Sequence, residues 1–145
     1  MQKRLKVTLQ WDGPYEDPEA VPKRAGIYMV ISGSKLSNGN FSVPTYEILD
    51  IGQSGESGVR LDTHDRKDCW HNRKSSNKTI LFKFAAMPSE SYDETDRRIV
   101  ECCLRAHTKP PCGIECNEGY KREDQVTITN SGKYAPLKEE YSCGP

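Results

Sequence analysis

No run of about 18 apolar residues occurs in this 145-residue chain, so no segment has the length and character of a membrane-spanning helix. The opening residues Met1-Gln2-Lys3-Arg4 lead into no apolar stretch of signal-peptide type, and the expected location is the cytoplasm. Net charge is lacking as well, because Lys+Arg and Asp+Glu number 21 each. Global charge therefore cannot recruit nucleic acid or a membrane, and any basic surface has to be local. Hydrophobic residues make up only 34% of the chain, which implies a modest core, although the balance is still that of a folded domain. Internal repeats, low-complexity segments and linkers are absent, and the length suits one domain over residues 1–145.

Cysteine is present in number but not in a metal-binding pattern. Cys69, Cys102, Cys103, Cys112, Cys116 and Cys143 contain no Cys-x-x-Cys pair. With no leader in view, reduced and mostly buried thiols are the expectation. A zinc site from Cys112 and Cys116 with Cys143 or His107 is the competing reading, its fourth ligand undetermined.

Residues 5–9 alternate Leu5, Val7 and Leu9 with Lys6 and Thr8, as in a short edge strand, and residues 11–22 carry the prolines and acidic groups of a loop. Residues 26–32 form a β-branched, nearly continuous apolar run, the pattern of a central strand. Asn38-Gly39 supplies hairpin chemistry before a returning strand at 46–51. A Ser/Gly stretch leads into a polar helical segment over residues 59–73, followed by a third strand at 79–85. Ser89 or Ser91 can cap the next helix, in which Ile99, Val100, Cys103 and Leu104 recur at spacings of three and four, and Lys109-Pro110-Pro111 ends it. Residues 126–129 offer a fourth strand. The predicted fold class is α+β, a small antiparallel sheet of three, or four, strands flanked by helices.

Chemistry-bearing residues fall at defined points of this scaffold. Gly26-Ile27-Tyr28 and Asp50-Ile51-Gly52 lie in strands, Arg60 and His64 stand four apart on one predicted helix face, and Glu101 lies off the apolar stripe of the second helix. In order and spacing this set resembles the GIY-YIG nuclease domain over about residues 22–117. The first triplet matches the first signature, Asp50-Ile51-Gly52 matches the second with its tyrosine replaced, and Gln53, Arg60, His64, Glu101 with Pro110, and Asn117 continue the series.

The resemblance implies a one-metal phosphodiester hydrolysis, with Mg²⁺ or Mn²⁺ on Glu101 and a 5′-phosphate product. Elementary chemistry assigns compatible roles. Near an arginine and a cation, the Tyr28 phenol would fall from its ordinary pKa of about 10 and take a proton from water. Arg60 would hold a phosphate oxygen with its planar fork, and Glu101 is a hard oxygen donor. Asp50 cannot donate the hydrogen bond of a tyrosine, but it can accept one from water or from Arg60. Arg66, Lys67, His71, Arg73, Lys74 and Lys78 concentrate positive charge beside this set, the footprint of a phosphate backbone, with Gln53 where relatives are often basic. Each residue also has an ordinary role: Tyr28 as a strand aromatic, Arg60 and His64 as a solvated helix face, Glu101 paired with Arg97 or Arg105 at i±4, Asn117 in a turn.

The sequence thus points to a metal-dependent DNA endonuclease, with RNA still open as substrate, monomeric or homodimeric and without membrane contact. The alternative is a nucleic-acid-binding module whose catalysis is weak or lost because Asp50 replaces a tyrosine.

Overall fold

A computed structural model describes residues 4–113 and 124–144. Its strands are β1 (Arg4–Tyr15), β2 (Gly26–Lys35), β3 (Phe41–Ser54), β4 (Thr79–Ala86), β5 (Gln125–Gly132) and β6 (Glu140–Cys143), with helices α1 (Lys67–Arg73) and α2 (Glu94–Thr108) and a 3₁₀ turn at Pro18–Ala20. The strands form one six-stranded mixed sheet in the order β3-β2-β4-β1-β5-β6. This corrects the expected small antiparallel sheet of three or four strands. β1 and β5 pair in parallel from Arg4↔Gln125 to Trp11↔Gly132, and β6 adds an antiparallel edge. Partners so far apart along the chain leave no local signal of their pairing.

β1 also outruns its expected end at Leu9. It continues to Tyr15 through a register shift between Asp12 and Tyr15, where Gly13-Pro14 interrupts the ladder, so part of the expected loop is strand. The β2–β3 turn is close to expectation: Leu36 donates to the Asn40 carbonyl and Gly39 takes a φ of 89°, which glycine adopts without strain.

Both faces of β2 are covered, which explains its unbroken apolar run. Ile27, Met29 and Ile31 pack with Leu9, Trp11 and Leu81 against Ile99, Val100, Cys103 and Leu104 of α2. Tyr28 and Val30 face the other way, toward Leu49, Leu61, Trp70, Phe82 and Phe84. α2 begins at Asp93, not at Ser89 or Ser91, with a reciprocal capping box between Asp93 and Asp96, and ends on left-handed Lys109.

The predicted helix over residues 59–73 shrinks to Lys67–Arg73. Gly58 has a φ of 75° and lies against the Lys23 backbone, closer than any Cβ would permit, so the chain turns there. The segment after it lacks an apolar stripe that could anchor a longer helix, and α1 is held chiefly by buried Trp70 and the Cys69–Cys112 disulfide. A second disulfide joins Cys103 of α2 to Cys143 of β6, and among the described residues no cysteine is free. Reduced thiols are therefore not what the fold contains, and Cys112 and Cys143 are not partners in a zinc site as expected. Among the described residues no helix is long and apolar enough to cross a membrane.

Candidate active site

Tyr28 and Gly52 are directly opposite one another on β2 and β3, and the phenol lies across the glycine. A Cβ on Gly52 would collide with Tyr28 Oη, Cζ and Cε2, so the second triplet keeps its glycine to let the first triplet's tyrosine reach the sheet edge. There Tyr28 Oη lies 3.0 Å from His64 Nε2 and accepts from Arg66 Nη2 at 2.9 Å. The Arg66 backbone N–H donates to His64 Nδ1 at 3.0 Å. Asp65 Oδ1 also lies 3.0 Å from Nδ1, so the ring suits a hydrogen on either nitrogen: on Nε2 it donates to Tyr28, on Nδ1 to Asp65. Tyr28 Oη accepts from Arg66 in both states, and it accepts from or donates to His64 Nε2 according to the tautomer.

Arg66 is held in turn by Asp50. This carboxylate is fully buried, and its Oδ2 accepts from Arg66 Nε at 2.6 Å and from Trp70 Nε1 at 2.7 Å. Asp50 thus anchors the arginine that touches Tyr28. Among the described residues its Oδ1 has no hydrogen-bond partner.

β3 is an outer strand of the sheet, and α2 closes its free edge with side chains. Glu101 Oε2 accepts from Gln53 N at 2.7 Å, and Arg105 Nε donates to the Ile51 carbonyl at 2.7 Å. Cys112 N continues the row to the Leu49 carbonyl at 2.9 Å. An edge that would otherwise offer unpaired groups is blocked, and Glu101 is brought into the cleft beside Tyr28. Glu101 Oε1 lies 3.4 Å from Arg105 Nη1, the expected i,i+4 pair. Arg97 instead turns to the Gln53 side chain and the Tyr92 carbonyl.

The resulting cleft encloses about 230 Å³ between Tyr28, Gln53, Val59, His64, Arg66, Arg98, Glu101 and Arg105. Three guanidiniums and one carboxylate line it, with Arg66 also paired to Asp50 and Arg98 to Glu94 at 3.0 Å just outside. Burial pushes the Tyr28 phenol well above its ordinary range, outweighing the pull of Arg66. Without a cation beside it, burial thus favours the protonated phenol, and the expected lowering concerns the state with a cation present. Burial, then Arg66, hold His64 below its usual value, and burial raises Glu101 against the opposing effect of Arg105 and the Gln53 N–H.

Arg60 does not join this group. Its side chain is 72% exposed and faces Asp62 at 3.7 Å, because the turn after Gly58 replaces the predicted helix. Arg66, assigned from sequence to the nucleic-acid surface, takes the inner place. Arg98 and Arg105 line the cleft with little signal in the sequence beyond Arg105 following Glu101 by a helical turn. Asn117 lies outside the described residues. Lys67, His71, Lys74 and Lys78 border a second hollow of about 450 Å³ on the α1 face, which also includes acidic Glu16 and Asp62. Lys67 donates to the Asp62 carbonyl, and Lys78 pairs with Glu47 and the Thr45 carbonyl. Arg73 lies in the last turn of α1 outside both hollows. Trp70 is buried and stacks near His64 and Phe82, so no base can stack on it.

Comparison with protein-family models, curated proteins and solved structures finds no match to this chain.

The donor set fits a magnesium ion in one respect. Among the described residues Glu101 is the one carboxylate lining the cleft, and its Oε1 is engaged only at 3.4 Å. Magnesium takes one or two carboxylates and completes its shell with water and substrate oxygens. Surrounded by arginines, Glu101 would hold such an ion well only once a phosphate had entered.

Proposed function

We propose that this cleft binds and hydrolyses a phosphodiester of nucleic acid, with DNA as the first substrate to test. The observation that carries the proposal is the pair of contacts at Tyr28 Oη, with Arg66 Nη2, which donates at 2.9 Å, and with His64 Nε2 at 3.0 Å, inside a cleft lined by three arginines. A phenolate there would take the Arg66 N–H and, with the imidazole hydrogen on Nε2, a second donor from His64. A magnesium or manganese ion on Glu101 would supply the charge that favours ionisation of Tyr28 and neutralises the leaving oxygen. With its own proton released to solvent, Tyr28 Oη would then take the proton of the attacking water. Arg66, fixed through Nε by Asp50, keeps Nη1 for a phosphate oxygen, and Arg98 and Arg105 balance charge on the phosphoryl group. The resemblance noted in the sequence supports a 5′-phosphate product. Cutting both strands would take two events or a second copy of the chain.

Incubation with supercoiled and branched DNA plus Mg²⁺ or Mn²⁺ tests this. Nicking that vanishes in Tyr28→Phe and Glu101→Ala is expected, and equal cleavage by wild type and Glu101→Ala contradicts it. A second reading, binding without cleavage, is favoured by one observation, the burial of Tyr28, which opposes a phenolate. It entails salt-sensitive DNA binding with no metal-dependent nicking. As to location, two disulfides support an oxidising setting over the expected cytoplasm.

A further inference from the structure

Away from the cleft, the end of α2 meets β6. Cys103 and His107 stand four residues apart on α2, one helical turn, and Cys143 approaches them from β6 with its Cα 5.8 Å from that of Cys103. One ligand atom from each of the three residues lies within 4.8 Å of the others. Here the two sulfurs are joined as a disulfide, and His107 Nε2 lies 2.9 Å from the Ser142 carbonyl oxygen. Facing a carbonyl, Nε2 must carry the hydrogen, which leaves Nδ1 with its lone pair in the neutral ring. The imidazole also rests on the Tyr141 ring, 4.9 Å between centroids. A histidine whose second nitrogen is fixed on a backbone carbonyl is in the state a metal-bound imidazole takes.

We propose that Cys103, His107 and Cys143 are a redox-gated zinc site. Oxidised, the sulfurs bond to each other and offer no thiolate. A dithiol reductant delivers two electrons and two protons, cleaving the S–S bond to two thiols while the reductant becomes a disulfide. Zn²⁺ then displaces two protons and binds both thiolates and His107. Two sulfurs and an imidazole suit zinc over magnesium or calcium, and three protein ligands leave the fourth tetrahedral position to water or an incoming donor. His107 is exposed while Cys103 is buried, so the ion reaches the site from the solvent side. The site differs from the cysteine set expected from sequence, because Cys112 is committed to Cys69. It also stands apart from the phosphodiester reading, since none of its residues lines the cleft.

The test uses the full chain, Zn²⁺ alone as probe, and Co²⁺ as a spectroscopic substitute. Equilibrium dialysis compares oxidised and phosphine-reduced protein, in wild type and in a Cys69→Ser/Cys112→Ser background that removes the other described disulfide. Uptake of about one zinc per chain only after reduction is expected, with a thiolate-to-cobalt charge-transfer band. Cys143→Ser should abolish that uptake, and His107→Ala, which leaves the disulfide intact, should weaken it at least tenfold. If reduction unfolds the chain, added zinc should restore the circular dichroism. The proposal is overturned if reduced protein takes up no stoichiometric zinc, if zinc fails to refold a chain unfolded by reduction, if oxidised protein binds equally well, or if Cys143→Ser and His107→Ala leave uptake unchanged.

Discussion

Tyr28 of β2 lies across Gly52 of β3, its cross-strand partner, with the phenol filling the space a Cβ would take. The two triplets that stand out in the sequence are thus one structural device, a glycine on one strand making room for a tyrosine from the next.

Gly52→Ala is therefore expected to displace the phenol from His64 and Arg66. The β3 backbone tolerates alanine, so the cost is overpacking, on the order of 1–3 kcal/mol. Denaturant melts should show a folded protein with a lowered midpoint, and nicking should fall as far as it does in Tyr28→Phe. Wild-type nicking by a folded Gly52→Ala protein would show that the tyrosine's place over the glycine is not required.

Asp50 holds Arg66 and Trp70 from a fully buried position. Asp50→Asn breaks a charge-assisted pair. Because Arg66 reaches the surface, a loss of about 3 kcal/mol is expected, the low end for breaking a buried pair. Asp50→Tyr should restore nothing, since a ring would have to displace both partners. A stable, more active Asp50→Tyr protein would contradict this reading.

His64 gives a pH signature. Burial and Arg66 hold its folded pKa below the ordinary value of 6.5, so the unfolded chain takes up the proton first. Its contribution is complete above about pH 6.5 and is lost as pH falls from there through the folded value. Glu101 has the opposite sign, because its pKa is raised by burial and its protonation on acidification favours the fold. Subtracting the stability profile of His64→Gln isolates the histidine. The difference should be flat at neutral pH and shrink on acidification, and a difference that grew on acidification would refute the assignment.

Metal affinity should depend on substrate. With Arg66, Arg98 and Arg105 around Glu101, calorimetric titration of Mg²⁺ into the free protein should give little heat, and into a complex with uncleavable phosphorothioate DNA a clear isotherm. Equal affinity in both would mean the arginines do not set the cleft's preference.

Much of this was legible in the chain and some was not, for identifiable reasons. The unbroken run of β2, the strand at Thr79–Ala86, the Asn38-Gly39 turn and the Ile99/Val100/Cys103/Leu104 stripe are local patterns, and the fold follows them. The β1–β5 pairing joins Leu5 to Val126, and nothing near either residue announces the other. Six cysteines do not reveal their own connectivity. The choice between Arg60 and Arg66 was hidden too. Spacing from His64 favoured Arg60, but the partner that draws an arginine inward is Asp50, on a strand whose buried carboxylate looked like a lost tyrosine.

The most direct test of the central claim compares Arg60→Ala with Arg66→Ala for DNA nicking and salt-dependent binding. If Arg66 is the arginine of the site, Arg66→Ala should lose nicking by about a hundredfold or more, on the scale of removing one charge-stabilising donor. Arg60→Ala should stay within about threefold of wild type, as expected for an exposed side chain. Loss of nicking in Arg60→Ala with Arg66→Ala still active would contradict the site described here.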